Sequence, residues 1–335
     1  MALRVGINGF GRIGRNFFRA SLGNPHFEIV AVNDITPPAM LAHLLQYDSI
    51  LGRLNAEVRS TDQAIEVNGR LVPVWSQPDP AKLDWDAVGA EVVFECSGRF
   101  ANAQGAGQHL HGGVKKVIIS APANDADWTV VLGVNDQDYD RARHRIISNA
   151  SCTTNCLAPV AKVLQDTFSI VAGAMTTVHS YTNDQRLLDL PHKDKRRARA
   201  AAINLIPTST GAAKALHLVI PELKGKLDGF SLRVPTADVS VVDLVVWVER
   251  PASAEAVNAA FREAAAGGMR GILGVEDDEL VSSDFRGDER SAIVDAKLTR
   301  VVAERCVKVI AWYDNEWGYS CRMRDLLVLL AQKGI

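Results

Sequence analysis

Features that would assign a protein to a specialised class are scarce in this chain of 335 residues. It has only five cysteines, an odd number, and a chain of this length needs no disulfide framework to hold its core together. We therefore expect a reducing compartment and a cytoplasmic protein. The formal net charge is only −2, so neither sign of charge dominates in a way that would indicate nucleic acid or a membrane surface as the main partner.

Long apolar runs are also lacking. No stretch approaches the ~18 consecutive apolar residues of a membrane-spanning helix, and the first residues lack the basic and apolar regions of a secretory signal. We therefore expect no membrane association. What remains is the composition of an ordinary globular protein, because 47% of the residues are hydrophobic and 23% are charged.

The first half of the sequence alternates short apolar strands with helical stretches. Strands are predicted at residues 4–7, 29–32, 92–96 and 116–120, and helices at residues 14–22 and 40–47. Such alternation is typical of βαβ units. We therefore predict the α/β class, with a Rossmann-type, doubly wound parallel sheet in this half.

The second half has longer, valine-rich strands, and its helices are set apart from them. Strands are predicted at residues 172–179, 227–235, 240–248 and 307–313, and helices at residues 152–165, 211–219 and 254–266. This pattern indicates an α+β domain with a mostly antiparallel sheet. We place the first domain at residues 1–150, completed by a C-terminal helix at residues 317–335, and the second domain at residues 151–316.

A glycine motif joins the first predicted strand to the first predicted helix. Residues 8–14 read Asn-Gly-Phe-Gly-Arg-Ile-Gly, which has the spacing G-x-G-x-x-G. In this motif Gly9 permits a tight turn, Gly11 lets the backbone approach a pyrophosphate, and Gly14 lets the helix pack on the sheet. The helix N-terminus offers N–H groups to the phosphates. Asp34 follows the second strand, where a carboxylate binds the adenosine ribose and repels a 2′-phosphate, which predicts NAD.

A cysteine lies between a predicted strand and a predicted helix, in the segment 148–156 that reads Ser-Asn-Ala-Ser-Cys-Thr-Thr-Asn-Cys. A helix N-terminus stabilises a thiolate, so Cys152 is a candidate nucleophile. For Cys156, one helical turn further on, structural, metal-binding and oxidisable roles compete, and we favour a supporting role beside Cys152. A zinc site needs more ligands at suitable spacing, and none is near in sequence, so we predict no metal.

A nucleophilic cysteine usually needs a base, and the chain contains eight histidines. His179 ends a predicted strand and faces a loop, which is where catalytic groups gather. The residue is therefore a candidate base. A lone histidine is often structural, so its position alone leaves both interpretations open.

Five segments together resemble the glyceraldehyde-3-phosphate dehydrogenase family, and the resemblance covers essentially the whole chain. They are residues 8–15, 148–159, 176–184, 233–242 and 312–320. The segment around Cys152 is highly specific to that family and its close relatives. The resemblance implies that the second domain is the catalytic domain.

The resemblance implies that Cys152 is the nucleophile and that His179 is its base, the two forming a thiolate–imidazolium pair near neutral pH. The thiolate attacks glyceraldehyde 3-phosphate to give a hemithioacetal. His179 takes the hydroxyl proton as hydride leaves for NAD, and inorganic phosphate then attacks the thioester to give 1,3-bisphosphoglycerate. The implied setting is glycolysis or gluconeogenesis.

Two phosphate sites are implied by the same resemblance. Thr182, Asp184 and Arg233 match the site for the phosphate of the substrate. The site for the attacking phosphate is matched by Ser151, Thr153, Arg197, Thr210 and Gly211. Hydroxyl, backbone N–H and guanidinium groups suit phosphate oxygens. The basic run at residues 193–199 can also be interpreted as a nucleic-acid patch, but it matches the family's cofactor-and-phosphate loop, so nucleic acid is not expected as the primary partner.

Further cofactor contacts are implied by the resemblance. Asn315 matches the residue that hydrogen-bonds the nicotinamide carboxamide, and Tyr319 packs close by. The remaining matches are Asn8, Phe10, Arg12, Ile13, Ser97, Ser120, Leu190 and Pro191. The Leu190–Pro191 pair is typical of NAD-specific members, whose tetramers bring this loop close to a neighbour's cofactor. It therefore agrees with Asp34 in predicting NAD, and we expect a homotetramer.

Three other interpretations compete with this one. Erythrose-4-phosphate dehydrogenases share the nucleophile segment but depart around residues 181–191. NADP-linked photosynthetic members read much like this chain at residues 206–246, although they tend to lack both NAD markers. A non-enzymatic redox or RNA-binding role is compatible with an oxidisable thiolate, but it leaves the phosphate-binding residues unexplained.

Overall fold

A computed structural model describes residues 2–335, which form two compact units. The first unit comprises residues 2–130, Gln137–Ala150 and Ser320–Ile335, and the second comprises Val131–Asp136 and Ser151–Tyr319. This division differs from the sequence-based one at two places. Residues 131–136 group with the second unit, and the last boundary falls after residue 319 instead of residue 316.

The first unit is built on a nine-stranded sheet. Its strands are β1 (Leu3–Asn8), β2 (Phe27–Asn33), β5 (Val58–Ser60), β6 (Ala64–Val67), β7 (Arg70–Trp75), β8 (Val92–Glu95), β9 (Lys116–Ile119), β10 (Trp128–Thr129) and β11 (Ile146–Ser148), and a separate ribbon is formed by β3 (Tyr47–Asp48) and β4 (Gly52–Arg53). The helices are α1 (Arg12–Ser21), α2 (Pro38–Gln46) and α3 (Ala103–Ala106). The strand order is β10-β11-β9-β8-β1-β2-β7-β6-β5.

The centre of this sheet is parallel. β1 pairs in parallel with β2 and β8, and β9, β11 and β10 continue the parallel order. At the other edge β5, β6 and β7 pair antiparallel, a hairpin region that the strand predictions missed. Parallel strands are covered on both faces, which is why Val5, Ile7, Val92 and Val93 are fully buried. The predicted Rossmann-type sheet is confirmed.

The second unit is built on an eight-stranded sheet in the order β13-β14-β12-β15-β19-β17-β16, with β18 paired to β19. The strands are β12 (Ile170–Ser180), β13 (Ile206–Ser209), β14 (Leu227–Val234), β15 (Ser240–Val248), β16 (Leu273–Glu276), β17 (Ala292–Asp295), β18 (Arg300–Val302) and β19 (Cys306–Tyr313). The helices are α4 (Cys152–Phe168), α5 (Ala212–Ala215) and α6 (Ala254–Ala266), and α7 (Trp317–Lys333) begins in this unit and continues into the first.

Antiparallel pairs dominate this second sheet, as predicted. β12 pairs antiparallel with β15, and β15 with β19, whereas β12 with β14 and β16 with β17 are parallel. Alternate residues of β15 are buried, which is the pattern of a strand with one covered face. The helix α4 packs on β12, β15, β17 and β19, so the sheet holds the helix that begins at Cys152.

Several helix predictions need correction at their ends. The helix α2 begins at Pro38 instead of residue 40, α4 continues to Phe168 instead of ending at residue 165, and α7 ends at Lys333 instead of residue 335. The helix α1 begins at Arg12 because Gly11 is its N-cap, two residues before the predicted start. The helix predicted at residues 211–219 is only the short α5, followed by a 3-10 turn at Leu216–Leu218. The other 3-10 turns are Pro80–Lys82, Trp85–Val88, Gly107–His109, Asp136–Asp138, Ala201–Ile203, Pro221–Leu223, Ser282–Phe285 and Ala296–Leu298.

Candidate functional site

The glycine turn of the first unit is shaped by close backbone approaches. Gly9 has a φ of 94°, and a Cβ on it would lie 2.5 Å from the Ser97 nitrogen. A Cβ on Gly14 would lie 2.2 Å from the Gly9 oxygen. A Cβ on Gly11 would meet nothing within 4 Å, so the space beside Gly11 is open. Two of the glycines therefore build the turn, and the third leaves room for a ligand.

The first turn of α1 presents backbone N–H groups. No side chain caps this helix, and its first turn carries no acidic residue, so the backbone N–H groups and the helix dipole favour an anion there. The side chains around the turn have other roles. Phe10 is fully buried, Arg12 Nη1 donates to Asp48 Oδ2 at 2.9 Å, and Ile13 is half-buried. The predicted cofactor contacts of these three residues stay predictions.

Asp34 directly follows β2 and lies against the glycine turn. Its Oδ2 accepts the Phe10 N–H at 2.7 Å, and its Oδ1 accepts the Thr36 N–H at 2.9 Å. The carboxylate is thereby fixed at the carboxyl end of the parallel sheet, where nucleotides bind in such folds.

Glu95, the last residue of β8, was missed in the sequence and organises three predicted residues. Its Oε2 accepts from Asn8 Nδ2 at 2.5 Å, and its Oε1 accepts the Ser97 N–H at 2.8 Å. Its carbonyl oxygen accepts from the Ser120 hydroxyl at 3.0 Å. An acidic residue at the end of a buried strand was the available signal.

A buried histidine completes the surroundings of Glu95. The Trp85 indole N–H donates to His109 Nδ1 at 3.1 Å, which leaves Nε2–H to face Glu95 Oε2 at 3.2 Å. Glu95 and His109 are both nearly inaccessible to solvent. This chain of hydrogen bonds holds the strand end that carries Ser97 against the glycine turn.

A cavity of about 230 Å³ lies at this end of the sheet, entirely within the first unit. It is lined by residues of the glycine turn, by Asp34 and Ile35, and by the Cys96–Ser97 strand end. An open space at Gly11, an uncapped helix N-terminus and a fixed carboxylate suit the pyrophosphate and ribose of a dinucleotide. The residues present therefore fit this class of cofactor.

The candidate nucleophile of the second unit lies at the start of α4. Ser151 is the N-cap, and its hydroxyl accepts the Thr154 N–H at 3.0 Å. Cys152 is the first helical residue, half-buried, and backbone N–H groups of Cys152 and Thr153 act on its sulfur. A helix N-terminus of this kind favours negative charge on the sulfur.

The structure brings the two predicted catalytic residues together. Cys152 Sγ lies 3.5 Å from His179 Nε2, although the residues are 27 positions apart in sequence. His179 Nδ1 lies 2.7 Å from the Ser180 carbonyl oxygen, a contact that needs a protonated Nδ1, and 2.9 Å from Arg233 Nη1, which needs an unprotonated one. In the tautomer that donates to Ser180, the neutral ring presents Nε2 to the sulfur as a proton acceptor.

The resemblance implies a thiolate–imidazolium pair, and burial opposes both of its charges. Burial raises the pKa of the Cys152 thiol, and the charge of Arg233 and the donors of Thr153 oppose this rise only in part. Burial, and after it the charge of Arg233, lowers the pKa of His179 to about 3. The ion pair therefore stays a prediction, and its stabilisation has to come from the helix N-terminus and from the mutual attraction of the two charges.

Arg233 connects His179 with the residues matched to the substrate phosphate site. Its Nη1 lies 2.9 Å from His179 Nδ1 and donates to Thr182 Oγ1 at 3.2 Å. The Nε of Arg233 is buried and has no hydrogen-bond partner within residues 2–335. A buried donor of this kind is costly unless it is paired, so the position suits an anion.

The two predicted phosphate sites share a carboxylate. The Thr182 hydroxyl donates to Asp184 Oδ1, and Arg197 Nη1 donates to Asp184 Oδ2 at 2.5 Å. Arg197 Nε also donates to Thr208 Oγ1 at 2.8 Å. Asp184 therefore pairs with Arg197, and an anion at the predicted phosphate site would compete with this carboxylate for the guanidinium group.

Thr210 and Gly211 lie at the start of α5. The Thr210 hydroxyl accepts the Ala212 N–H at 3.2 Å, and Gly211 is the N-cap, with open space around its Cα. Leu190 is exposed, and the Pro191 carbonyl accepts from Arg186 at 3.1 Å. Within residues 2–335, no hydrogen bond links these four residues to Cys152 or His179.

The Thr153 side chain is not directed to an open phosphate site. Its hydroxyl lies 2.9 Å from the Tyr313 hydroxyl, which is also 2.9 Å from Thr177 Oγ1. Tyr313 is fully buried at the end of β19, and its ring lies edge-on to that of His179. Tyr313 was missed in the sequence, where it reads as one more core aromatic residue of a valine-rich strand.

Asn315 lies close to His179 through two serines that were also missed. The Ser240 hydroxyl donates to Asn315 Oδ1 at 2.7 Å, and the Ser180 hydroxyl donates to it at 3.1 Å. All three residues are buried. Tyr319 is buried in the first turns of α7. The amide of Asn315 is thus oriented by the residue that follows His179.

Residues 2–335 offer neither a metal-binding cluster nor a helix that could span a membrane. No group of three or more His, Cys, Asp or Glu side chains is arranged to hold a metal ion in that range. None of the helices described there combines the length and the apolar character needed to cross a bilayer.

Comparison with known proteins gives consistent matches over the whole chain. Residues 3–103 match the family model "Glyceraldehyde 3-phosphate dehydrogenase, NAD binding domain", and residues 151–315 match the corresponding C-terminal domain. The chain is 60% identical over 335 residues to "Glyceraldehyde-3-phosphate dehydrogenase 1" of Bacillus subtilis, with full coverage of both chains. It is 58% identical to the "Glyceraldehyde-3-phosphate dehydrogenase" of Geobacillus stearothermophilus, again with full coverage of both. The protein of that name from Streptomyces coelicolor is 56% identical, with 99% of this chain and 100% of the relative covered.

Proposed function

The chain belongs to the glyceraldehyde-3-phosphate dehydrogenase family, and from that premise we propose that it oxidises glyceraldehyde 3-phosphate in glycolysis or gluconeogenesis. The reaction uses a nicotinamide cofactor and inorganic phosphate, and its product is 1,3-bisphosphoglycerate. The observation that carries this proposal is the 3.5 Å approach of Cys152 Sγ to His179 Nε2 at a helix N-terminus. A sulfur nucleophile beside a base is the arrangement that thioester chemistry needs.

The first half of the mechanism forms a covalent bond to Cys152. The sulfur attacks the aldehyde carbon, His179 Nε2 accepts the thiol proton, and His179 passes this proton to the carbonyl oxygen to give a neutral hemithioacetal. Backbone N–H groups at the start of α4 stabilise the negative charge that develops. His179 then removes the hydroxyl proton as the hemithioacetal is oxidised to a thioester. When bound, the nicotinamide supplies the hydride acceptor for this oxidation.

The second half releases the acyl group. An oxygen of inorganic phosphate attacks the thioester carbon, the C–S bond breaks, and the sulfur is reprotonated from His179. Ser151, Thr153, Arg197, Thr210 and Gly211 are proposed to hold the attacking phosphate, with Thr153 acting through its backbone N–H because its hydroxyl is bound to Tyr313. Thr182, Asp184 and Arg233 are proposed to hold the substrate's own phosphate, and the unpartnered Nε of Arg233 supports this.

Binding of the substrate phosphate is proposed to raise the pKa of the base, His179. The charge of Arg233 is one cause of the lowered pKa of His179, and a phosphate on Arg233 would counter that charge. The pKa of His179 should then rise toward its ordinary value of about 6.5, which improves it as a proton carrier near neutral pH. Substrate binding and proton transfer are thereby coupled through one guanidinium group.

The chain binds a nicotinamide dinucleotide, and we propose that it prefers NAD. The Asp34 carboxylate, fixed by the Phe10 N–H, would repel a 2′-phosphate. Asn8, Gly9, Gly11, Arg12, Ile13, Gly14, Ser97, Ser120, Leu190, Pro191, Asn315 and Tyr319 complete the proposed set of contacts. Residues 1–150 with 317–335 are proposed as the cofactor domain, and residues 151–316 as the catalytic domain.

A homotetramer is the proposed assembly. The segment 187–205 exposes Leu187, Leu188, Ile203 and Leu205, each with more than two thirds of its surface accessible. Apolar side chains grouped in this way mark an association surface. A cytoplasmic location is proposed as well, because the nucleophile must stay reduced. Sedimentation at working concentration tests the assembly, and a monomeric mass would contradict it.

The direct test follows NADH absorbance with glyceraldehyde 3-phosphate, with and without inorganic phosphate, and repeats the assay with NADP and with erythrose 4-phosphate. Sustained turnover that requires NAD and phosphate is expected. Turnover that ignores phosphate would contradict the proposed release step. A higher kcat/KM with NADP, or with erythrose 4-phosphate, would contradict the proposed cofactor or substrate.

A further inference from the structure

Two aspartates of the second unit bury their carboxyl groups side by side. Asp238 and Asp314 have only 2% and 1% of their surface exposed, and their carboxyl groups lie within hydrogen-bonding reach of each other. Neither carboxylate oxygen of Asp238 has a hydrogen-bond partner of ordinary geometry within residues 2–335, and the Val239 N–H is the one backbone donor that acts on this carboxyl group. A buried carboxylate with so few donors is disfavoured, so a proton between the two groups is the simplest way to satisfy both.

Asp314 is the better acceptor of the two. Its Oδ1 accepts the N–H groups of Glu316 and Trp317 at 2.9 and 2.7 Å, and its Oδ2 accepts the Gly287 N–H at 2.8 Å. Hydrogen bonds of this kind favour the ionised form of a carboxyl group. The shared proton therefore resides on Asp238, which donates it to Asp314.

The charged groups around the pair are themselves acidic or already paired. Asp238 faces the carboxyl groups of Asp314 and Glu316. On the loop that supplies Gly287, Arg290 is bound to Asp288 through Nε and Nη2. Val239, which follows Asp238, belongs to an apolar cluster with Phe285 and Ile293, against which Trp312 and Leu280 pack.

On β12, Ser180 donates to Asn315, and the titratable residue next to Ser180 in sequence is His179. Burial lowers the pKa of His179 to about 3, so it is neutral near pH 7. Burial and the neighbouring Asp314 charge raise the pKa of Asp238 to about 8. Burial raises the pKa of Asp314 as well. The surroundings therefore favour retention of one proton by the pair at neutral pH.

The pair flanks the residue proposed to contact the nicotinamide carboxamide. Asp314 immediately precedes Asn315, and Asp238 lies two residues before Ser240, whose hydroxyl holds Asn315 Oδ1. We propose that Asp238 and Asp314 form a proton-sharing carboxyl pair that positions Asn315 for the cofactor. Loss of the proton sets two buried negative charges against each other and loosens the turn that carries Asn315. This role rests on the proposed function of Asn315.

The first measurement is independent of the cofactor. Wild-type protein labelled at the aspartate side-chain carboxyl carbon is titrated by NMR, and the Asp238→Asn variant assigns the signal. A carboxyl carbon that stays protonated at about pH 7 and loses its proton near about pH 8 is expected. A fully ionised Asp238 at about pH 6 would overturn the carboxyl pair.

The second measurement is NADH affinity by fluorescence as a function of pH, which does not involve Cys152 chemistry. In the wild type the Kd for NADH is expected to rise by up to about tenfold from pH 7 to pH 9, as the proton is lost. Asp238→Asn, whose amide donates to Asp314 without titrating, should have a Kd that changes little. The matched control Asp243→Asn, on β15 and paired with Lys308, should keep the wild-type pH dependence.

The outcomes separate the two proposals. An equal pH dependence in wild type and Asp238→Asn would overturn the positioning role. Absence of NADH binding at about pH 7 would contradict the cofactor assignment and the positioning role together, whereas the NMR titration would still decide whether the two carboxyl groups share a proton.

Discussion

The glycine turn of the first unit and the cysteine site of the second present different kinds of atoms to a ligand. At the turn, Phe10 is buried in the core and Arg12 is bound to Asp48, so backbone N–H groups and the space beside Gly11 remain. At the cysteine site, side chains carry the chemistry, and burial shifts the pKa of both Cys152 and His179. A backbone site depends on shape, whereas a side-chain site depends on charge and desolvation. Substitutions at the glycine turn should therefore change cofactor affinity, whereas substitutions at the cysteine site should change the reaction rate and the pKa of the catalytic groups.

The largest effect is expected from Cys152→Ala, which removes the only proposed covalent anchor. The expected loss of kcat is on the order of 10⁶-fold, as for loss of a nucleophile in other covalent enzymes. NADH affinity should be unchanged, because the first unit is untouched. The control Cys306→Ala, at the first residue of β19, should keep full activity. Appreciable turnover in Cys152→Ala would mean that another group is the nucleophile.

Removing the base should cost less than removing the nucleophile. His179→Asn should lower kcat by roughly 10²–10⁴-fold, the usual range for lost general base catalysis. Stopped-flow measurement of the first NADH formed should show that the oxidation step is slowed. Near-normal rates would contradict the assignment of His179, as would a defect confined to KM for NAD.

The backbone site is tested by Gly11→Ala. A Cβ there meets no protein atom within 4 Å, so the melting temperature should stay the same. The Kd for NADH should rise by about tenfold or more, which corresponds to a loss of at least about 1.4 kcal/mol of binding free energy. The control Gly268→Ala, also in open space, should change neither quantity. Unchanged NADH affinity in Gly11→Ala would show that the cofactor does not use this space.

In the protein without substrate, a smaller effect, on the proton equilibrium of His179, should follow from Arg233→Gln, which should also weaken binding of the substrate phosphate. Because the charge of Arg233 is one cause of the lowered pKa of His179, that pKa should rise from about 3, and NMR titration of the ring reads it directly. The exposed pair Arg262–Asp277 provides the control Arg262→Gln, which should leave the pKa of His179 in place. An unchanged pKa of His179 in Arg233→Gln would show that the charge of Arg233 does not lower that pKa.

The same shift predicts how acid affects stability. His179 in the folded wild type stays neutral down to about pH 3, whereas in the unfolded chain it is protonated below about pH 6.5. The unfolded state therefore binds more protons between these values, and the free energy of unfolding falls as pH falls through this window. Because Arg233→Gln should raise the pKa of His179 in the folded state, the lower limit of this pH range should rise. The free energy of unfolding, measured in urea at several pH values, tests this.

The sequence predicted the backbone site better than the side-chain site, for a physical reason. The glycine spacing, the helix start and Asp34 are local features, and a tight turn needs particular residues at particular positions. The approach of Cys152 to His179 joins residues 27 positions apart, and Arg233 lies a further 54 positions along the chain from His179. Periodicity carries no information about such contacts, so that geometry was reached only through the family resemblance.

Several details could not be read from the sequence at all. The Thr153 hydroxyl turns to the buried Tyr313, and Asp184 occupies Arg197, because the sheet brings these residues together after folding. Glu95 could have been predicted, because it is an acidic residue at the end of a buried strand. The thiolate–imidazolium pair implied by the family stays a prediction, because desolvation opposes the charge of both partners and the sequence carries no information about that burial.

The most direct test of the account is mass spectrometry of the acyl-enzyme. Protein mixed with glyceraldehyde 3-phosphate and NAD in the absence of phosphate is quenched in acid and digested. One acyl group is expected on the peptide that contains Cys152, and it should disappear when inorganic phosphate is added before the quench. An acyl group on any other residue, or turnover that proceeds without an adduct, would contradict the central claim that Cys152 carries the thioester.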